Sequence, residues 1–130
     1  MANLKVEIEQ KPQAVIAKLD GEAGVDEADE LSRNLRLLTA AKPAVAILDL
    51  GGLSYIASMG IGALVRFRND LTQAGGRVLI ANCRPLVFDT FRHAGLQRVF
   101  QIFPTVDEAL AASAISGTAA PASNASTPAR

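Results

Sequence analysis

Residues 44–50, Ala44-Val45-Ala46-Ile47-Leu48-Asp49-Leu50, form a nearly continuous apolar run bounded by Lys42-Pro43 on one side and Gly51-Gly52 on the other. A run of that length, flanked by breakers, reads as a strand buried on both faces. The sequence on either side supplies its neighbours. Residues 4–9 alternate apolar Leu4, Val6 and Ile8 with polar Lys5, Glu7 and Glu9, which predicts a strand with one wet face. Lys11-Pro12-Gln13 predicts a turn, and residues 14–19 a second strand, antiparallel to the first because the link is short. Residues 25–40 carry Ala28, Leu31, Leu35 and Leu38 at three- and four-residue steps, the stripe of an amphipathic helix. Gly51-Gly52-Leu53-Ser54-Tyr55-Ile56 is expected as a loop. A second helix follows from about residue 58 to 73, with Ile61, Leu64, Phe67 and Leu71 on its inner stripe and Ala74-Gly75-Gly76 as its stop. Residues 77–82 predict a fourth strand. Arg84-Pro85 opens a third helix ending at His93-Ala94-Gly95, residues 99–103 predict a short last strand, and Pro104-Thr105 leads a fourth helix in which Thr105 and Glu108 have capping-box spacing.

The order of these elements predicts an α/β fold. Its mixed sheet of about five strands has parallel pairing with right-handed crossovers after the opening hairpin, and four helices lie mainly on the crossover face. One domain over residues 1–115 is expected. Residues 116–130 lose all periodicity and consist largely of Ala, Ser, Thr, Pro, Gly and Asn, the composition of a disordered tail.

Composition narrows the chemistry. Thirteen basic residues balance thirteen acidic ones among 130, which argues against a general nucleic-acid or anionic-membrane surface. Trp is absent and aromatics are 5%, too few for base-stacking platforms. One Cys and one His cannot build a zinc site or an internal disulfide. No apolar run approaches the ~20 residues of a spanning helix, and the first residues lack a signal peptide's apolar core. These features are those of a cytoplasmic protein with no cofactor or metal.

The segment from Leu50 to Gly62 is the richest in candidate function. Ser58 sits where an N-cap belongs, and the same position tolerates a phosphate, so it supports both a structural and a modifiable reading. Gly60 and Gly62 imply close approach, either of the helix to the sheet or of a partner to the helix. They are not a dinucleotide fingerprint, because position 65 is Val; Ser58 is not a hydrolase elbow, because position 56 is Ile. Asp20 and Asp49 close two strands, where single carboxylates satisfy loop amides. Arg66 and Arg68 flank Phe67 and could join a partner surface around Ser58. His93 suits a helix C-terminus, and Cys83 behaves as a small hydrophobe.

Several segments together resemble a known family. They are Leu19-Asp20-Gly21-Glu22, Ile47-Leu48-Asp49-Leu50, Leu53-Ser54-Tyr55-Ile56-Ala57-Ser58-Met59-Gly60-Ile61-Gly62-Ala63-Leu64, Ala74-Gly75-Gly76-Arg77-Val78, Ala94-Gly95-Leu96 and Asp107-Glu108-Ala109-Leu110. In order and spacing they resemble the STAS domain of bacterial anti-sigma factor antagonists over roughly residues 4–113. The resemblance implies an adaptor without catalytic activity. Its partner would be an anti-sigma factor that is also a serine kinase; phosphorylation of Ser58 would abolish binding, and a serine phosphatase would reset it. Asp20, Ala57, Ser58, Met59, Gly60, Ile61 and Gly62 would form the partner surface. The family pattern is Asp-Ser-Ser/Thr-Gly-x-Gly, so Ala57 and Met59 depart from it. A STAS subunit of a transporter or lipid-transport complex is the alternative within the fold; a small nucleotide-binding α/β protein is the alternative outside it. The oligomeric state is left open.

Overall fold

In the computed structural model, which describes residues 4–115, the apolar run at 45–50 lies in the middle strand of a five-stranded sheet. The expected tail, 116–130, lies outside the described residues. The strands are β1 (Leu4–Gln10), β2 (Val15–Ala23), β3 (Val45–Ile56), β4 (Arg77–Ala81) and β5 (Gln101–Phe103), in spatial order β1-β2-β3-β4-β5. The hairpin β1–β2 is antiparallel and every later pair is parallel, as the short first link and the helical crossovers require. The helices are α1 (Ala28–Ala40), preceded by a 3-10 turn at Val25–Glu27, then α2 (Ser58–Gln73), α3 (Pro85–His93) and α4 (Val106–Ile115).

The sheet has two unequal cores. On one face Ala17, Leu19, Leu48, Leu50 and Ile80 meet Leu31 and Leu35 of α1, Leu64, Phe67 and Leu71 of α2, and Val87 and Phe91 of α3. Phe91 stacks on Phe100 with ring centroids 6.1 Å apart. On the other face Ile16, Ile47, Leu79 and Ala81 meet α4 through Ala109, Val106 and Leu110. Because β3 contributes to both cores, its residues 45–50 are all buried, which is why that stretch of the sequence lacks alternation. The crossover helices share one face as expected, and α4 closes part of the other.

Several boundaries differ from expectation. Residues 51–56 are not a loop: β3 runs on to Ile56, and β2 runs on beside it to Ala23. Glycines at 51 and 52 look like a turn in sequence, but here they sit at a shift of register between Lys18 and Asp20 of β2, a second shift following between Gly21 and Glu22. The side chain of Ser54 ties the irregular stretch together by donating to the Gly21 carbonyl at 3.1 Å. At the other edge, β5 begins at Gln101 because Val99 and Phe100 each donate to the Leu96 carbonyl at 2.9 Å, in the turn before the strand.

Candidate functional site

The start of α2 stands at the carboxyl end of the sheet. The N-cap is Ala57, not Ser58: its backbone is extended, with φ −88° and ψ 168°, and no side chain caps the helix. Ala57 is nonetheless held firmly. Its N–H donates to the Ala23 carbonyl at 2.9 Å, and its carbonyl accepts the Ile61 N–H at 2.9 Å. Ser58 is therefore the first helical residue, exposed, and its hydroxyl makes no hydrogen bond among the described residues. The cap expected of it does not form, because the chain enters the helix one residue earlier. A free hydroxyl beside the unpaired N–H groups of a helix start can accept negative charge without disturbing the fold.

The two nearby glycines have separate reasons. A Cβ on Gly60 would lie 2.9 Å from Ile56 Cγ1 and 3.1 Å from the Ala23 carbonyl oxygen, so Gly60 lets α2 sit close on the sheet. A Cβ on Gly62 would meet nothing within 4 Å. Gly62 is exposed, in the second turn of a helix, where glycine costs about 1 kcal/mol relative to alanine. Nothing inside the molecule requires it. Met59 precedes it by three residues and is 55% exposed, so the two share one outward stripe, with Arg66 a turn beyond. Ile61 turns inward and packs on the larger core.

The 3-10 turn at Val25–Glu27, which sequence left inside the first helix, packs beside α2. Val25 is 63% exposed and Tyr55 49%, and the Tyr55 ring lies against Gly24, whose N–H donates to Glu27 Oε1 at 3.0 Å. Val25, Tyr55 and Met59 thus leave apolar surface in water around the helix start, and no local pattern in the sequence marks the first two.

The remaining candidates lie elsewhere. Asp20 is on β2 three residues before Ala23, about 10 Å along the strand at ~3.3 Å per residue, and it faces the α4 side of the sheet with Lys18 and Asp49. It is not grouped with Ser58. Asp49, buried to 8% exposure, accepts from the Gly51 N–H at 3.0 Å and from Asn82 Nδ2 at 3.3 Å, the loop-amide role expected of it. His93 Nδ1 lies 2.8 Å from the Asp89 carbonyl. Burial pushes the Cys83 thiol up to about 11, which keeps it protonated and unreactive at neutral pH. Thr105 Oγ1 accepts the Glu108 N–H at 3.1 Å, half of the expected capping box.

The structure is a five-stranded mixed sheet with four helices, with an exposed serine hydroxyl and apolar surface at the start of α2. The family model of the STAS domain matches residues 5–109, and the chain belongs to that family. It is 28% identical over 118 residues to the protein named anti-sigma factor antagonist BtrV of Bordetella bronchiseptica, covering 91% of this chain and 99% of that one. An anti-sigma factor antagonist from Mycobacterium paratuberculosis has the same fold, with TM-score 0.79 and 22% identity over 85% of this chain and 94% of the other. The fold also recurs within the murine anion transporter Slc26a9. There the TM-score is 0.71 and the identity 18%, over 82% of this chain and 18% of the transporter. The chain is an anti-sigma factor antagonist-like STAS domain.

Proposed function

We propose that this protein acts in the cytoplasm as a partner-switching antagonist. It binds an anti-sigma factor with serine-kinase activity through the start of α2, and phosphorylation of Ser58 releases it. The observation that carries the reading is the pairing of an exposed, unbonded Ser58 hydroxyl with an outward stripe, Met59 and Gly62, that the fold does not use. Phosphate adds about −1.5 to −2 charge at neutral pH. The helix start holds that charge in water, but a partner packed on Met59 would have to bury it, and burying an unpaired charge is strongly unfavourable. Release then follows from desolvation at the interface without a change of fold. A serine phosphatase would restore binding, and the domain itself would turn over no substrate.

Ala57 and Met59 set this chain apart from the family pattern. Ala57 is a buried methyl group, 9% exposed, where the family pattern has a carboxylate. Met59 gives the contact a flexible apolar side chain. The kinase that modifies Ser58 would therefore recognise the site without an acidic residue before it. The transporter reading rests on fold likeness alone, and no helix among the described residues is long and apolar enough to cross a membrane.

The test is binding to the anti-sigma factor of the native cytosol, identified by pull-down, with Ser58→Glu and Ser58→Ala compared by calorimetry. Ser58→Ala should bind like the parent and Ser58→Glu at least tenfold more weakly, both keeping the parent circular dichroism. Equal affinity of Ser58→Glu and parent would place the interface elsewhere.

A further inference from the structure

β1 is an edge of the sheet: β2 pairs with one side of it, and among the described residues no strand pairs with the other. At the mouth of the hairpin the Lys11 N–H donates to the Ala14 carbonyl at 2.8 Å. Counted back from that pair along the register of β1 on β2, the backbone groups of Glu9, Glu7 and Lys5 turn toward β2. Those of Leu4, Val6 and Ile8 therefore turn to the open edge. The strand has no proline and no shift of register against β2, so its outward N–H and C=O groups form a regular row, the template on which another strand can pair.

Charge on an edge strand repels a second strand when it is of one sign. β1 carries both signs. Lys5 and Glu7 lie on the polar face, opposite Asp20 and Lys18 of β2, and their side chains bond to each other at 3.0 Å while 70% and 50% exposed. Leu4 and Val6 lie on the other face and pack on the larger core, and Ile8, on that same face, is 49% exposed. Placed antiparallel on a second copy of itself, β1 can set its outward groups together about a two-fold axis at Val6, Glu7 or Ile8 with five or more residues of each strand paired. An axis at Glu7 puts that carboxylate against its own copy. One at Ile8 puts Glu7 against Glu9. An axis at Val6 puts Lys5 of each copy opposite Glu7 of the other, sets Val6 against Val6, and covers each Ile8 with the Leu4 of the other copy.

We infer that the open edge of β1 binds a second copy of this chain, the two β1 strands pairing antiparallel about Val6 to join the sheets. The neighbouring strands extend the match. Across the joined polar face the order is Asp20, Lys5, Glu7 and Lys18, with sign alternating over four strands, and across the apolar face it is Leu19, Val6, Val6 and Leu19. Opposite charges directly across a strand pair stabilise it, and like charges there destabilise it. The pairing uses β1 alone, so it does not rest on the role proposed for Ser58.

The test is sedimentation equilibrium of the full-length protein, with amide exchange followed in parallel. One short strand buries less surface than a standard interface, so a dimer dissociation constant of about 0.1 mM is expected, weakening as salt is raised. Exchange at the Leu4, Val6 and Ile8 amides should slow as the protein is concentrated, while the Lys5 and Glu7 amides, already bonded to β2, should not change. Lys5→Glu alone and Glu7→Lys alone each set like charges opposite and should self-associate about tenfold more weakly. An equimolar mixture of these two variants restores both opposite pairs and should associate like the parent. Both side chains are exposed, so each variant should keep the parent circular dichroism. The inference is overturned by a parent that stays monomeric at about ten times the expected dissociation constant, by single variants that associate like the parent, or by a mixture no tighter than either variant alone. Leu4, Val6 and Ile8 amides already protected in a monomeric parent would give the edge to another segment of the chain and equally overturn it.

Discussion

On the face of the sheet that carries α1, α2 and α3, apolar side chains from β1 through β4 meet three helices. On the opposite face a single helix, α4, covers a small apolar core, and beyond it the sheet is polar and open. The first face holds the fold, and the proposed contact surface lies at its rim, around Ser58. The second tolerates charged residues in the body of the sheet, because no helix lies over β2 at Lys18 and Asp20. The larger change in stability should therefore come from the three-helix face.

Leu64→Ala tests that difference most severely. Leu64 is fully buried between α2 and the sheet, and its truncation should cost about 3–5 kcal/mol. Leu110→Ala, on half-buried Leu110 of α4, should cost about 1–2 kcal/mol for the same atoms removed. Urea unfolding of both variants measures this directly. Equal losses would mean that α4 is as integral to the domain as the crossover helices.

Within α2 the contrast narrows to two glycines. Gly60→Ala should destabilise by about 1–3 kcal/mol, because its methyl group meets Ile56 and the Ala23 carbonyl, and overpacking forces a backbone shift. Gly62→Ala should stabilise by about 1 kcal/mol, because the added methyl meets nothing and removes the entropy cost of glycine in a helix. The same Gly62→Ala should weaken binding of the anti-sigma factor if that partner approaches the helix closely. A variant that is more stable yet binds less well would separate interface from fold; one that is more stable and binds equally well would remove Gly62 from the interface.

Much of the three-helix face was legible in the sequence. The stripe Ala28, Leu31, Leu35 and Leu38 is buried as its spacing predicts, and so are Leu64, Phe67 and Leu71, because helical periodicity is a local signal read within one segment. The continuation of β3 was not legible. Gly51-Gly52 has the composition of a turn, and only the shifted register of β2, some thirty residues away in sequence, keeps it in the sheet. The polar groups on the α4 side were hidden for the same reason: Lys18 and Asp20, Asp49 with Gly51 and Gly52, and Asn82 with Arg84 come from β2, β3 and the loop after β4, which only the fold brings together. At Ser58 the start of the helix was legible to within one residue, but the expected side-chain cap does not form. Whether a serine caps a helix or begins it depends on which residue adopts the extended backbone, and here that residue is Ala57, tied to Ala23 of the neighbouring strand.

That one-residue difference yields the smallest expected effect and a clean one. Had Ser58 been the cap, Ser58→Ala would cost ~1 kcal/mol through the lost side-chain bond to the first turn. As the first helical residue, with an exposed hydroxyl that bonds to nothing among the described residues, it has no such bond to lose. Alanine is also the better helix former. Ser58→Ala should therefore leave the unfolding free energy within about 0.5 kcal/mol of the parent, the range of ordinary surface substitutions. Chemical denaturation with an unchanged dependence on denaturant would show it. A loss near 1 kcal/mol would mean that the hydroxyl caps the helix in solution, and phosphorylation would then remove a structural bond as well as add charge. With stability unchanged, any defect of Ser58→Ala or Ser58→Glu in partner binding reports on the contact surface alone, because the helix beneath it is the same in all three proteins.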